Sequence, residues 1–106
     1  MLPEITVTEL SKKMAAGEDI LLVDVREPSE YEICALPSVL IPLAEIPKQV
    51  NKIPQDKSVI LICHHGFRSA QALQYLQQRY GYQNLLNLKG GIHAWAEQAD
   101  PDMPMY

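Results

Sequence analysis

Val59-Ile60-Leu61-Ile62-Cys63-His64-His65-Gly66-Phe67-Arg68-Ser69 joins an apolar run of strand length to Ala70–Gln77, where the apolar residues return at helical spacing. A buried strand that runs into a cysteine, then a short loop, then the first turn of a helix sets the sulfur over backbone N–H groups. Consecutive N–H groups in a tight turn form a concave nest, and the unpaired N–H groups of a helix start add partial positive charge, so the stretch favours a thiolate. Gly66 permits a turn with positive φ. Arg68 brings a permanent charge with the fork geometry of an oxyanion ligand, and Ser69 can cap the helix or donate to the same anion. The stretch therefore reads as a nucleophilic cysteine on a strand–loop–helix unit.

The sequence around that unit alternates strands with helices. Ile5 is read as a brief edge strand. Thr6-Val7-Thr8-Glu9 has the spacing of a capping box, with Leu10 and Met14 on one face and Gly17 past the end, which predicts a helix of about three turns. Ile20–Val25 is a near-continuous apolar run, as a parallel strand covered on both faces requires. Pro28 turns the chain into a short helical segment at Ser29–Tyr31, and Val39–Ile41 reads as a strand ended by Pro42. Ile46, Val50 and Ile53 fall at helical spacing, with Pro47 in a first turn where proline is tolerated. The helix after the loop packs Leu73, Leu76 and Tyr80 and stops at Gly81. Leu85–Leu88 is a further strand and Gly90-Gly91 opens a last helix with Trp95 in the core. Pro101–Tyr106 reads as a short mobile tail. The class is α/β with a mainly parallel sheet, and ligands of such sheets sit outside the carboxyl ends of the strands, where Cys63 falls.

Composition narrows the partners. The chain has 106 residues, 47% hydrophobic and 21% charged, which is ordinary for a soluble globular domain and is read as one domain over 1–106. A net charge of −4 without a basic stripe argues against nucleic acid. No apolar run reaches membrane-spanning length, and the start has no signal-peptide pattern, so no membrane and a cytoplasmic location are expected. Two cysteines outside any C-x-x-C pair give neither a zinc signature nor a disulfide framework. Cys34, in Glu32–Pro37, has apolar neighbours and reads as a core cysteine. Asp24, near the end of its strand, needs a partner if buried, and Arg26 or loop N–H groups can supply it. His93 has no partner visible in the sequence and carries no assignment.

Four segments in order carry a family resemblance. Cys63-x-x-Gly66-x-Arg68-Ser69 resembles the active-site loop of rhodanese-type sulfurtransferases. Asp24–Tyr31, Ile41-Pro42-Leu43 and Leu88–Trp95 resemble that family's other landmarks. The resemblance implies a rhodanese-like three-layer domain, a mainly parallel central sheet with helices on both faces. It also implies that Asp24 and Arg26 support the loop structurally. Cys34-Ala35 and Ser38 stand where many members have Gly-His and Gly, a departure that resembles a branch fused to sulfur-carrier-activating enzymes.

The expected chemistry is transfer of sulfane sulfur from a donor such as thiosulfate to a thiol, cyanide or protein carrier through a Cys63 persulfide. His64, His65, Gly66, Phe67, Arg68 and Ser69 are the expected substrate-binding residues, with Phe67 shaping the pocket mouth; no metal or organic cofactor is needed. Two other readings stay open. One is a binding or regulatory module of the same fold without activity. The other is a cysteine phosphatase or arsenate reductase, opposed by loop length: Cys63 to Arg68 spans six residues, one fewer than in related cell-cycle-type phosphatases.

Overall fold

The computed structural model describes residues 2–106. Its centre is β4 (Ser58–Ile62), hydrogen-bonded on one side to β2 (Ile20–Asp24) and on the other to β5 (Leu85–Leu88). The two-residue strands β1 (Glu4–Ile5) and β3 (Val39–Leu40) close the edges in the order β1-β5-β4-β2-β3, every pair parallel. Because β4 is covered on both faces, its side chains alternate between two apolar layers rather than between oil and water. Val59, Leu61 and Cys63 pack with Ala72, Leu73 and Leu76 of α3 (Phe67–Tyr80) and with Ile46, Ile53 and Tyr82. Ile60 and Ile62 pack with Val7 and Leu10 of α1 (Val7–Ala15) and with Ile92, Ala94 and Trp95 of α4 (Gly91–Gln98). The three-layer α/β expectation is met. No helix among the described residues is long and apolar enough to cross a membrane.

Local chemistry sets the element ends. The capping box of α1 is formed: the Thr6 hydroxyl accepts from the Glu9 N–H at 3.1 Å and Glu9 Oε1 accepts from the Thr6 N–H at 2.9 Å. The short helix α2 (Pro28–Ile33) contains the helical segment expected at Ser29–Tyr31 and takes in Pro28 as its first residue. The helix expected across Ile46, Val50 and Ile53 is instead two 3₁₀ turns, Leu43–Lys48 and Val50–Lys52. The run starts at Leu43, so Pro47 lies inside it rather than in a first turn, and its missing N–H breaks an α ladder. Bonds between residues three apart, from Glu45 to Pro42, Lys52 to Gln49 and Ile53 to Val50, predominate, while Gln49 N–H is shared between the Ile46 and Glu45 carbonyls.

Where β2 ends, Asp24 and Arg26 form a fully buried ion pair. Arg26 Nε donates to Asp24 Oδ1 at 3.0 Å and Nη2 to Oδ2 at 2.8 Å, so Arg26 is the partner that Asp24 requires. Burial alone would lower the Arg26 pKa, but the hydrogen bonds it donates to Asp24 and Tyr106 override it and the net direction is upward. The same guanidinium donates to the carbonyls of Glu30 at 3.3 Å and Cys34 at 2.7 Å and to the Tyr106 hydroxyl at 2.8 Å. The end of the chain is thus tied down by a side-chain bond, not a mobile tail.

Removing one member of this pair leaves the other charge buried without a counter-ion. Arg26→Met is expected to lower stability by about 3–5 kcal/mol in urea unfolding, and the double change Asp24→Leu/Arg26→Met to recover part of it. Equal losses in the single and double variants would show that packing, not the orphaned carboxylate, carries the effect.

Candidate active site

Cys63 follows β4 directly, and its side chain, 1% exposed, points into the layer under α3. The loop behind it hangs from α4. Ile92 N–H donates to the Cys63 carbonyl at 2.9 Å and His93 N–H to the His64 carbonyl at 3.0 Å, so first-turn donors of α4 find their partners in the loop. That approach needs the glycine pair before it. Gly91 has φ +62°, and a Cβ there would come within 2.5 Å of the Cys63 carbonyl oxygen. Gly66 has φ +105°, the positive φ expected of it, and starts α3.

Two donors face the sulfur: the Gly66 N–H at 3.0 Å and the Ser69 hydroxyl at 3.3 Å. Ser69 does not cap the helix. α3 begins at Phe67, three residues before the apolar periodicity suggests, which places Ser69 in its first turn with a buried side chain. Its hydroxyl also lies 2.5 Å from Asn87 Oδ1, and Asn87 Nδ2 donates to the Gly66 carbonyl at 3.1 Å. Asn87, buried on β5, is therefore a positioning residue that the sequence reading passed over. Its signal was available: an amide in an otherwise apolar strand must find hydrogen-bond partners.

Arg68 is turned to a carboxylate rather than left open. Its Nη1 donates to Glu30 Oε1 at 2.6 Å and Nη2 to Oε2 at 2.8 Å. This bidentate contact with the Arg68 guanidinium holds the Glu30 carboxyl down at about 2, and Glu30 in turn raises the Arg68 pKa. The Tyr106 hydroxyl donates to Glu30 Oε2 at 2.9 Å, and burial first of all pushes that phenol up to about 12. Phe67 is 82% exposed, so it stands at the outer rim and covers nothing.

His64 lies flat against the Tyr106 ring, centroids 3.9 Å apart and planes 8° from parallel. Burial, assisted by the charge of His65, lowers the His64 pKa. His65 is exposed, and His93, from α4, closes on both. Cys34 is half-buried and shares a narrow cleft with His64, His93 and Tyr106, so it is only partly the core residue expected.

Comparison with known proteins gives the family and the fold. The family described as rhodanese-like domain matches residues 6–98. A sulfurtransferase of Allochromatium vinosum is 44% identical over 102 residues, covering 95% of this chain and 94% of the relative. A probable adenylyltransferase/sulfurtransferase, MoeZ, of Mycobacterium tuberculosis is 40% identical over 105 residues, 96% of this chain but 26% of that protein, so the chain spans about a quarter of it. The crystal structure of a rhodanese-like domain protein from Staphylococcus aureus superposes with a TM-score of 0.84 at 30% identity, over 99% of both chains.

Two measurements test the geometry. Gly17 and Gly91 both have positive φ, but only Gly91 faces backbone oxygens. Gly17→Ala is expected to cost about 1–2 kcal/mol and Gly91→Ala about 3–4 in urea unfolding; equal costs would mean the α4–loop contact is not the constraint. Glu30 is more acidic folded than unfolded, so its contribution to stability is complete above the unfolded carboxyl value and is lost as pH falls towards about 2. Glu30→Gln is expected to flatten the fall in Tm between pH 5 and pH 2; a wild-type slope in the variant would count against the pair.

Proposed function

Because the chain belongs to the rhodanese-like domain family, we propose that it is a sulfurtransferase carrying sulfane sulfur as a persulfide on Cys63. One observation carries the reading. A buried cysteine sulfur at the end of the central parallel strand accepts from the Gly66 N–H and faces the Ser69 hydroxyl, with an arginine fork one residue before that serine. Donors fixed at a sulfur stabilise it when it is negative, at the start of the reaction as thiolate and at the end as leaving group.

In the first step the Cys63 thiolate attacks the outer sulfur of thiosulfate or the terminal sulfur of a protein persulfide. An Sγ–S bond forms, the donor's S–S bond breaks, and its electron pair leaves with sulfite or the donor thiolate. An acceptor thiolate, on a small molecule or a protein, or cyanide then attacks the terminal sulfur, the Sγ–S bond breaks and the Cys63 thiolate returns. With a protein sulfur carrier whose carboxyl end is adenylated, the persulfide sulfur instead attacks the acyl carbon, AMP leaves, and a thiol cleaves the resulting acyl disulfide. Gly66 and Ser69 hold the sulfur, and Asn87 holds both of them. His64, His65 and Phe67 form the rim that meets donor and acceptor. Arg68 binds an anionic donor once it turns from Glu30, and Asp24–Arg26 keeps α2, and with it Glu30, in place. No metal or organic cofactor enters these steps.

The fused relatives point to a protein partner. MoeZ and the MOCS3 proteins of Drosophila are named as adenylyltransferases and sulfurtransferases, so a carrier activated by adenylation is a fitting acceptor. The cytoplasm, where both free thiols stay reduced, fits this chemistry. A cysteine phosphatase is the weaker reading because Cys63 to Arg68 spans six residues, one fewer than in the related cell-cycle-type phosphatases. A binding module without activity has no use for donors aimed at a buried sulfur.

Intact-protein mass spectrometry decides the matter. After thiosulfate or a cysteine-desulfurase persulfide donor, one added sulfur of about 32 Da, removable by cyanide or dithiothreitol, is expected in wild type and Cys34→Ser and absent in Cys63→Ser. No adduct with either donor would overturn the proposal. Turnover of a chromogenic phosphate ester that disappears in Cys63→Ser would replace it with the phosphatase reading.

A further inference from the structure

Three imidazoles meet at the rim of the loop, two from neighbouring residues and one from α4. One donor nitrogen from each of His64, His65 and His93 lies within 4.8 Å of the others. The ring centroids are 4.0 Å apart for His64–His65, 4.9 Å for His65–His93 and 6.1 Å for His64–His93. Their backbones are coupled, since His93 N–H donates to the His64 carbonyl. The sequence pattern conceals this grouping because adjacent histidines are not a usual ligand spacing and the third comes from the next crossover.

Further observations distinguish the cluster from three histidines met by chance. His64 Nε2 is shielded from solvent and makes no hydrogen bond among the described residues, although its ring is held by the Tyr106 stack. A buried ring nitrogen without a partner is a group that a ligand can satisfy. His93 Nε2 lies 3.1 Å from Glu97 Oε1, so with that contact kept an ion would take its Nδ1. A carboxylate on the far nitrogen of a histidine is the arrangement that fixes the tautomer and ring direction of a metal ligand. The Cys63 sulfur is not part of the convergent group; its contacts are with Gly66 and Ser69.

We propose that His64, His65 and His93 form a site for a divalent transition-metal ion of the zinc class, with Glu97 orienting His93 and water completing the shell. Three neutral nitrogen ligands suit zinc, copper or nickel rather than the oxygen-seeking calcium and magnesium. A tetrahedral zinc with bonds of about 2.0–2.1 Å needs nitrogens about 3.4 Å apart, so the rings close by roughly an ångström on binding. His65 is exposed and free to make most of that movement. The site uses none of the donors assigned to the sulfur, Gly66 and Ser69, although His64 and His65 also stand on the rim of the proposed transfer site.

The test is Zn²⁺ competition against a chromophoric chelator, on reduced full-length protein without a histidine tag. One Zn²⁺ per chain with Kd below about 100 μM is expected, weakened at least tenfold by His65→Asn and by His93→Asn and severalfold by Glu97→Gln. Circular dichroism of the same variants confirms that the fold is retained, and His65, being exposed, provides the variant least able to disturb it. Cys63→Ser and Cys34→Ser are expected to bind as wild type. Affinity weaker than about 1 mM, or binding lost in Cys63→Ser and kept in His93→Asn, would overturn the site.

Discussion

The fully buried guanidinium of Arg26 is the interaction on which the rest of the site depends. It neutralises Asp24 at the end of β2 and spends its remaining N–H groups on the Glu30 and Cys34 carbonyls and the Tyr106 hydroxyl. One residue thus joins a central strand, both ends of the segment from Glu30 to Cys34, and the last residue of the chain. A buried ion pair is weak evidence of net stability, because desolvation offsets most of the attraction. Its value here is positional. Glu30 can grip Arg68 only because α2 is fixed from beneath, and Tyr106 can stack on His64 only because its hydroxyl is anchored between Arg26 and Glu30.

A second chain of contacts governs the sulfur. The Ser69 hydroxyl has a single proton and two acceptors within reach, Asn87 Oδ1 at 2.5 Å and Cys63 Sγ at 3.3 Å. Hydrogen bonds to charged groups contribute about 1.5–3 kcal/mol against about 0.5–1.5 for neutral ones, so the proton belongs on Asn87 beside a neutral thiol and swings towards an anionic sulfur. Asn87 keeps its other contact, to the Gly66 carbonyl, through either state. The loop therefore does not need to move when the sulfur changes charge.

What the sequence made legible was local. The apolar run into Cys63, the Thr6–Glu9 capping box and the positive φ of Gly66 each depend on residues a few positions apart, and each appears as read. The contacts that were not legible join distant segments: Asn87 to Ser69, Glu30 to Arg68, Tyr106 to Arg26 and His93 to the adjacent histidines. Periodicity cannot report them, because each depends on which ends of the strands the topology brings together. Pro47 failed for a different reason: its effect turns on where the run begins, and helix starts are poorly marked where proline and leucine stand in place of a polar cap.

Charge at the rim bears on which donor the proposed transfer would use. Asp24 cancels Arg26 and Glu30 cancels Arg68, so the two arginines add no net positive charge to the mouth. A small dianion would have to displace a carboxylate that is held by two N–H donors and a phenol. A persulfide presented by another protein requires no such exchange, since the reacting sulfur carries at most one charge and its docking energy comes from the partner's surface. Phe67, exposed beside the loop, and the His64 and His65 rings offer apolar and polarisable contacts to such a surface. On this argument the Glu30–Arg68 pair would favour, in the proposed transfer, sulfur delivered by a protein over sulfur delivered as a free anion.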